Sequence, residues 1–282
     1  MFNTITIIGP GLLGASLLQA ARKNGLCKRT VAWSRRPETR IKCEQQDWCD
    51  TITATLSEAA AKGDLIVVCT PVETIVPIIQ EIQAHLQPGT IITDVGSTKS
   101  LICRQAHAAV PEGTHFIGSH PMAGSEKTGL EHAQADLFQR RACFVTPLLD
   151  TDATACEKVV RFWTQIGMDV QTTNPEKHDE IVANISHLPH ILASTLCCHL
   201  AKQDTTWINY AGGGLRDTTR IASGDPHLWK SIIQQNREEI LHAITGFEQE
   251  IHNMRAAIYN DNLFDVINIL ERGKQYRDRF CP

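Results

Sequence analysis

Short runs of β-branched and aliphatic residues stand at positions 4–8, 30–33, 65–69, 90–94, 115–117, 143–146 and 169–172. Between them lie longer stretches of helical period, 12–24, 73–86 and 100–109 among them. Several of the short runs are apolar throughout, as strands buried on both faces of a sheet must be. Strands alternating with helices predict an α/β domain over residues 1–173: a Rossmann-type, doubly wound, mostly parallel sheet.

Past Thr173 the period changes. Asn174-Pro175-Glu176 is a helix start, with an Asn cap, Pro at the first helical position and an acid in the first turn. From there the pattern gives helices and no convincing strand, which defines an all-α domain over residues 174–282. Pro189 falls inside the first of these helices and should kink it. A long helix is expected over roughly 226–259. It carries Ile240, Ile244, Phe247, Ile251, Met254 and Ile258, a seam with spacings of 4, 3, 4, 3 and 4. Such a seam packs against another helix. A helical domain of about 110 residues has little of its own to cover it, so a homodimer is expected through this domain.

Composition narrows the partners. The chain has 282 residues, 42% hydrophobic and 21% charged, with a formal net charge of −4. That balance offers no electrostatic footprint for nucleic acid. No run of 18 apolar residues occurs, so no membrane span is expected. The N-terminus leads straight into a strand without a basic leader, which points to the cytoplasm. Ten cysteines form no CxxC pair, and several lie inside apolar runs. Reduced core thiols are expected rather than disulfides, and with no Cys/His cluster at ligand spacing, no metal.

Gly9-Pro10-Gly11-Leu12-Leu13-Gly14 follows the first strand and opens a helix, the context in which GxGxxG signals a dinucleotide. Gly9 permits the turn, Gly11 admits a pyrophosphate to the backbone, and Gly14 lets helix and strand approach. The phosphates would sit at the helix N-terminus. Where the second strand ends, an NAD enzyme presents a carboxylate to the ribose. This chain has Ser34, Arg35 and Arg36, a hydroxyl and two guanidiniums suited to a 2′-phosphate, so NADP is expected over NAD.

Ligands of an open parallel sheet bind beyond the carboxyl ends of its strands. Besides the glycine loop, that edge should hold Thr70 and Pro71, then Ser97 and Lys99, and then Ser119-His120 on a glycine-rich loop. Ser97 and His120 should meet beside the nicotinamide, the hydroxyl holding the imidazole's tautomer or relaying its proton. Lys99 is either a cofactor contact or a surface lysine at a helix start. In the helical domain, His187 and His190 lie three apart on one helix face, as ligands or as satisfied core histidines. The run from Gly212 to Arg220 reads as a glycine hinge leading to a carboxylate clamp, Arg216 or Arg220. Arg216 could instead pair with Asp217.

These motifs resemble, in order and over nearly the whole chain, the prephenate/arogenate (cyclohexadienyl) dehydrogenases of tyrosine biosynthesis. The residues that carry the resemblance are GPGLLG at 9–14, VCTP at 68–71, DVGSTK at 94–99, GSHPMAGSEKTG at 118–129, SHLPH at 186–190 and GGLRDTTR at 213–220. The resemblance implies a nucleotide-binding domain, a helical dimerisation domain, and oxidative decarboxylation of a cyclohexadienyl substrate. His120 would take the proton of the ring 4-hydroxyl as hydride leaves for the nicotinamide, with Ser97 orienting it. Arg220 would hold a substrate carboxylate, and Glu126, His187, His190, Gly213, Arg216 and Asp217 would line or gate the pocket. Prephenate is expected over arogenate, with Glu126 keeping dual specificity open. The competing readings are a β-hydroxyacid dehydrogenase or imine reductase and a non-catalytic NADP sensor.

Overall fold

A computed structural model describes residues 2–124 and 129–280. The strands are β1 (Phe2–Ile8), β2 (Cys27–Trp33), β3 (Thr51–Ile52), β4 (Leu65–Val68), β5 (Ile91–Asp94), β6 (His115–Pro121), β7 (Ala142–Thr146) and β8 (Asp169–Thr172). They form one eight-stranded sheet in the order β3-β2-β1-β4-β5-β6-β7-β8. Every neighbouring pair is parallel except β6 with β7. Helices α1 (Leu12–Lys23), α2 (Pro37–Glu44), α3 (Leu56–Ala60), α4 (Val72–Ile82), α5 (Ser100–Ala109) and α6 (Ala153–Ile166) cover it. Two apolar clusters result, one containing Ile5, Leu17 and Trp163, the other Ile66, Ile75 and Ile102. Successive side chains of a strand point to opposite faces, which is why β1 and β4 contribute to both clusters.

The order reverses between β1 and β4, whose carboxyl ends open the crevice where ligands of such sheets bind. β6 departs from the short strand expected at 115–117. Its first half pairs with β5, Ile117 opposite Thr93. Its second half runs on past β5 and pairs antiparallel with β7, His120 opposite Phe144. His120 is therefore on a strand, not on a loop.

The helical part comprises α7 (Pro175–Val182), a π-helical turn (Ala183–His187), α8 (Leu188–Leu200), α9 (Gly213–Thr219), α10 (Pro226–Gln235), α11 (Arg237–Tyr259) and α12 (Leu263–Phe280). Asn174 caps α7, its side chain accepting from Lys177 N at 2.7 Å. Pro189 sits in the first turn of α8, and the π turn before it absorbs the missing donor. By length and composition the run Pro175–Leu200 is apolar enough to cross a membrane. Its apolar window is 33% buried, and the buried residues include the polar His178, Asp179, His187 and His190.

The long helix expected over 226–259 is broken at Asn236, whose backbone leaves helical geometry at φ −112° and ψ 34°. The reason is tertiary. Its amide donates to the Asp179 carbonyl at 2.9 Å and lies 3.2 Å from His187 Nδ1. The apolar seam is covered at one end only: Ile240 is buried, whereas Ile251 and Ile258 are exposed.

Candidate active site

The glycine loop has the geometry its spacing demands. Gly9 adopts φ +91°, and a Cβ there would lie 2.8 Å from Thr70 Cγ2 and 2.9 Å from the Cys69 carbonyl oxygen. A Cβ on Gly14 would lie 2.5 Å from the Gly9 carbonyl oxygen, which is what lets α1 start so close to β1. Gly11 is different: nothing lies within 4 Å of its Cβ position, and it precedes α1 without a side-chain cap. Leu12 and Leu13 form the first turn of α1, so their amides belong to its uncapped N-terminus. An open glycine beside free helix N–H groups fits a pyrophosphate.

At the end of β2, Ser34 is buried and its hydroxyl accepts from Arg36 N at 3.2 Å. Arg35 and Arg36 are exposed, and a third guanidinium, Arg40, donates to the Ser34 carbonyl at 2.8 Å. Thr70 and Pro71 close the crevice from β4, Pro71 immediately preceding α4.

The loop after β5 holds two surprises. Ser97 is half-buried, and no hydrogen bond joins it to His120 among the described residues. Lys99 is fully buried, so the reading of a surface lysine is wrong, and its ammonium is engaged within the protein. It forms an ion pair with Asp94 and donates to the Ser119 carbonyl at 3.0 Å. Asp94 also accepts from Ser119 N at 3.0 Å and Gly96 N at 2.9 Å. A buried ion pair persists only when its remaining valences are met. Here those valences hold both backbone polar atoms of Ser119 and so aim the next residue, His120.

His120 is 8% exposed, and its Nδ1 lies 2.9 Å from Nε2 of His178 in α7. Burial above all, then the neighbouring His178 and Lys99, keeps its pKa well below the ordinary histidine value. His178 is buried against Phe144, and burial lowers its pKa too, although Asp179 opposes this. The Asp179 carboxylate accepts from His178 Nδ1, Lys99 N and Ser100 N, each at 2.8 Å. Burial would raise its pKa, but the bonds from His178 and Ser100 hold it below the usual value.

Two more histidines follow. His187 is buried, and burial pushes its pKa down to about 4. His190 stacks on Trp229, ring centroids 3.5 Å apart and planes 7° apart, while His187 meets the same indole edge-on at 6.0 Å. α9 and the 3₁₀ turn Arg220–Ser223 pack on α8. Arg216, Asp217 and Arg220 are exposed, and none takes part in an ion pair between described residues, so the Arg216–Asp217 bridge does not form. Gly213 opens α9 as a helical residue with open space around it, not as part of a loop hinge. Glu126 lies outside the described residues.

Sequence reasoning missed His178, Asp179, Asn236 and Trp229. His178 and Asp179 stand in a polar run, Glu176-Lys177-His178-Asp179-Glu180, that reads as a solvated first turn. The available signal was an i, i+1 His-Asp pair one turn after a helix start.

Comparison with known proteins bears on the whole chain. A family model described as the prephenate dehydrogenase nucleotide-binding domain matches residues 17–172, and one described as the prephenate dehydrogenase dimerization domain matches 174–272. A prephenate dehydrogenase of Bacillus subtilis is 31% identical over 99% of this chain and 76% of its own length. Among solved structures, prephenate dehydrogenase from A. aeolicus, in complex with hydroxyphenyl propionate and NAD+, superposes with a TM-score of 0.93 at 28% identity, covering 99% of each chain. Synechocystis arogenate dehydrogenase gives 0.86 at 28% identity, over 98% of this chain and 99% of that one.

Proposed function

Since this chain belongs to the prephenate dehydrogenase family, we propose that it oxidatively decarboxylates prephenate to 4-hydroxyphenylpyruvate in tyrosine biosynthesis, using NADP in preference to NAD. The observation that carries this reading is His120: a buried, neutral imidazole at the carboxyl edge of the sheet, aimed by the clamp on Ser119 and backed by His178. A bound nicotinamide dinucleotide supplies the hydride acceptor. His120 takes the ring-hydroxyl proton, and gain of aromaticity drives loss of the ring carboxylate as CO₂. The chain therefore has to position groups and accept one proton.

Ser97, on the loop after β5 beside the strand that carries His120, bonds the same hydroxyl, and Arg220 holds the side-chain carboxylate. His187, His190, Glu126, Gly213, Arg216 and Asp217 line the remainder of the pocket. Ser34, Arg35 and Arg36 receive the 2′-phosphate, which favours NADP; Gly9, Gly11, Leu12, Leu13, Gly14, Thr70 and Pro71 cradle the rest of the dinucleotide. Arogenate is the second reading, since the Synechocystis arogenate dehydrogenase shares the fold at the same 28% identity. A second copy of the chain covers the exposed apolar faces of α11 and α12, and the reduced thiols Cys43, Cys103 and Cys143 suit the cytoplasm.

The test is a four-way assay of prephenate and arogenate with NADP and NAD, alongside His120→Asn. Turnover with prephenate and NADP, reduced about 10²–10⁴-fold in the variant at unchanged dinucleotide affinity, is expected. Absence of turnover with either substrate rejects the reading.

A further inference from the structure

We infer that Asp179 is a positioning residue that sets the tautomer of the His178–His120 pair, leaving Nε2 of His120 as the proton-accepting atom. The inference rests on the reading of His120 as the acceptor of the substrate proton. Three donors converge on this one carboxylate: Lys99 N and Ser100 N at the start of α5, and His178 Nδ1, each at 2.8 Å. An ionised carboxylate can only accept. His178 must then carry its proton on Nδ1 and offer a lone pair at Nε2. Its neighbour at 2.9 Å, His120 Nδ1, must therefore donate. A neutral His120 has one proton, already placed on Nδ1, so its Nε2 bears the lone pair. Burial disfavours a second proton on either ring, and the Lys99 ammonium nearby adds to this.

The same carboxylate closes a structural gap. α5 starts at Ser100 without a side-chain cap from its own N-cap residue, Lys99. Its first amides would be orphaned at a buried helix end, and a residue about 80 positions downstream satisfies them. α5 belongs to the sheet domain and Asp179 to the first helix after it, so the tautomer is set where the two are joined. Asn236 pins the Asp179 backbone from a third element by donating to its carbonyl, and Thr98 bonds Gln235 at 2.7 Å beside it. Opposite Asp179 and its histidines, the ionisable groups are Lys99 and Asp94 from the sheet side and His187 from the π turn.

Asp179→Asn is nearly isosteric, yet its NH₂ must replace either Oδ2, facing Ser100 N, or Oδ1, facing both Lys99 N and His178 Nδ1. Facing His178 it would reverse both rings, putting a proton on His120 Nε2. Replacing an aspartate behind a catalytic histidine in this way lowers kcat by about 10⁴ through the wrong tautomer. A loss of about 10²–10⁴ in kcat is expected here, with the affinity for the dinucleotide unchanged. The deciding readout is ¹⁵N-imidazole NMR of the full-length protein. His120 should be the Nδ1–H tautomer in the wild type and Nε2–H in Asp179→Asn. An Nε2–H signal in the wild type overturns the inference without any variant. A switched tautomer with kcat within about threefold of wild type instead supports Asp179's role and rejects His120 as the proton acceptor.

Discussion

His187 illustrates what burial does to a single ionisable side chain. Only 1% of it is exposed, and its pKa falls from the ordinary 6.5 to about 4, first through burial and then through His178 and His190, with Asp179 opposing. The sign for stability follows. The unfolded chain takes up a proton near pH 6.5, whereas the folded chain resists until about pH 4, so the unfolded state binds more protons in that window. Stability therefore falls as the pH drops through it, by on the order of 3 kcal/mol for this residue alone. Melting temperatures measured from pH 7 to 4.5 should decline, and His187→Gln should lose part of that slope; equal slopes would count against the shift. At this scale the sequence was partly legible. His120 stands out because glycines and prolines surround it, while His178 looks like one more polar residue in a helix start. Polarity predicts solvent, and in this case another part of the protein takes the place of solvent.

At the scale of elements, the glycine loop separates two duties that the motif merges. Gly14 serves packing, since a Cβ there would meet the Gly9 carbonyl oxygen at 2.5 Å. Gly11 has no such packing duty, since its Cβ would meet no protein atom within 4 Å. Gly14→Ala should lower the melting temperature by several degrees or prevent folding, in line with overpacking costs of about 1–3 kcal/mol. Gly11→Ala should melt within about 2 °C of wild type yet bind NADP at least tenfold more weakly by calorimetry. Unaltered binding in Gly11→Ala would remove the loop from the cofactor site. Strand–helix alternation was readable because period and β-branching are local properties. The break at Asn236 and the extension of β6 were not. Asn236 obeys contacts with Asp179 and His187, and the second half of β6 obeys β7, which lies more than 20 residues downstream.

For the whole molecule, the imbalance between the two parts is the main feature. The sheet has a dense core on each face, whereas among the described residues the helical part buries only Ala183, Ile240 and Ala243 as its own cluster. Leu263, Phe264, Ile267 and Leu270 of α12 remain exposed, as do Ile251 and Ile258 of α11. Large exposed apolar patches commonly mark interfaces. Sedimentation should give a dimer of about twice the 31.3 kDa chain mass. Ile258→Glu combined with Phe264→Glu should shift it toward monomer, because a carboxylate cannot be buried unpaired. A wild-type monomer at micromolar concentration would refute the arrangement.

The sequence by itself determined the layered sheet, the glycine loop, the change to helices near residue 174, and the placing of a histidine, His120, at the carboxyl edge of the sheet. Each of these depends on periodicity or on chain neighbours within a few residues. Only the tertiary structure decided which groups stand behind that histidine. Asp179 reaches α5 across 79 and 80 residues, and His178 reaches His120 across 58. Lys99 is buried because Asp94 and the Ser119 carbonyl receive its charge, which no local pattern encodes. Proton placement on His120 is a property of that assembled network, since it depends on what each donor and acceptor finds opposite it in space.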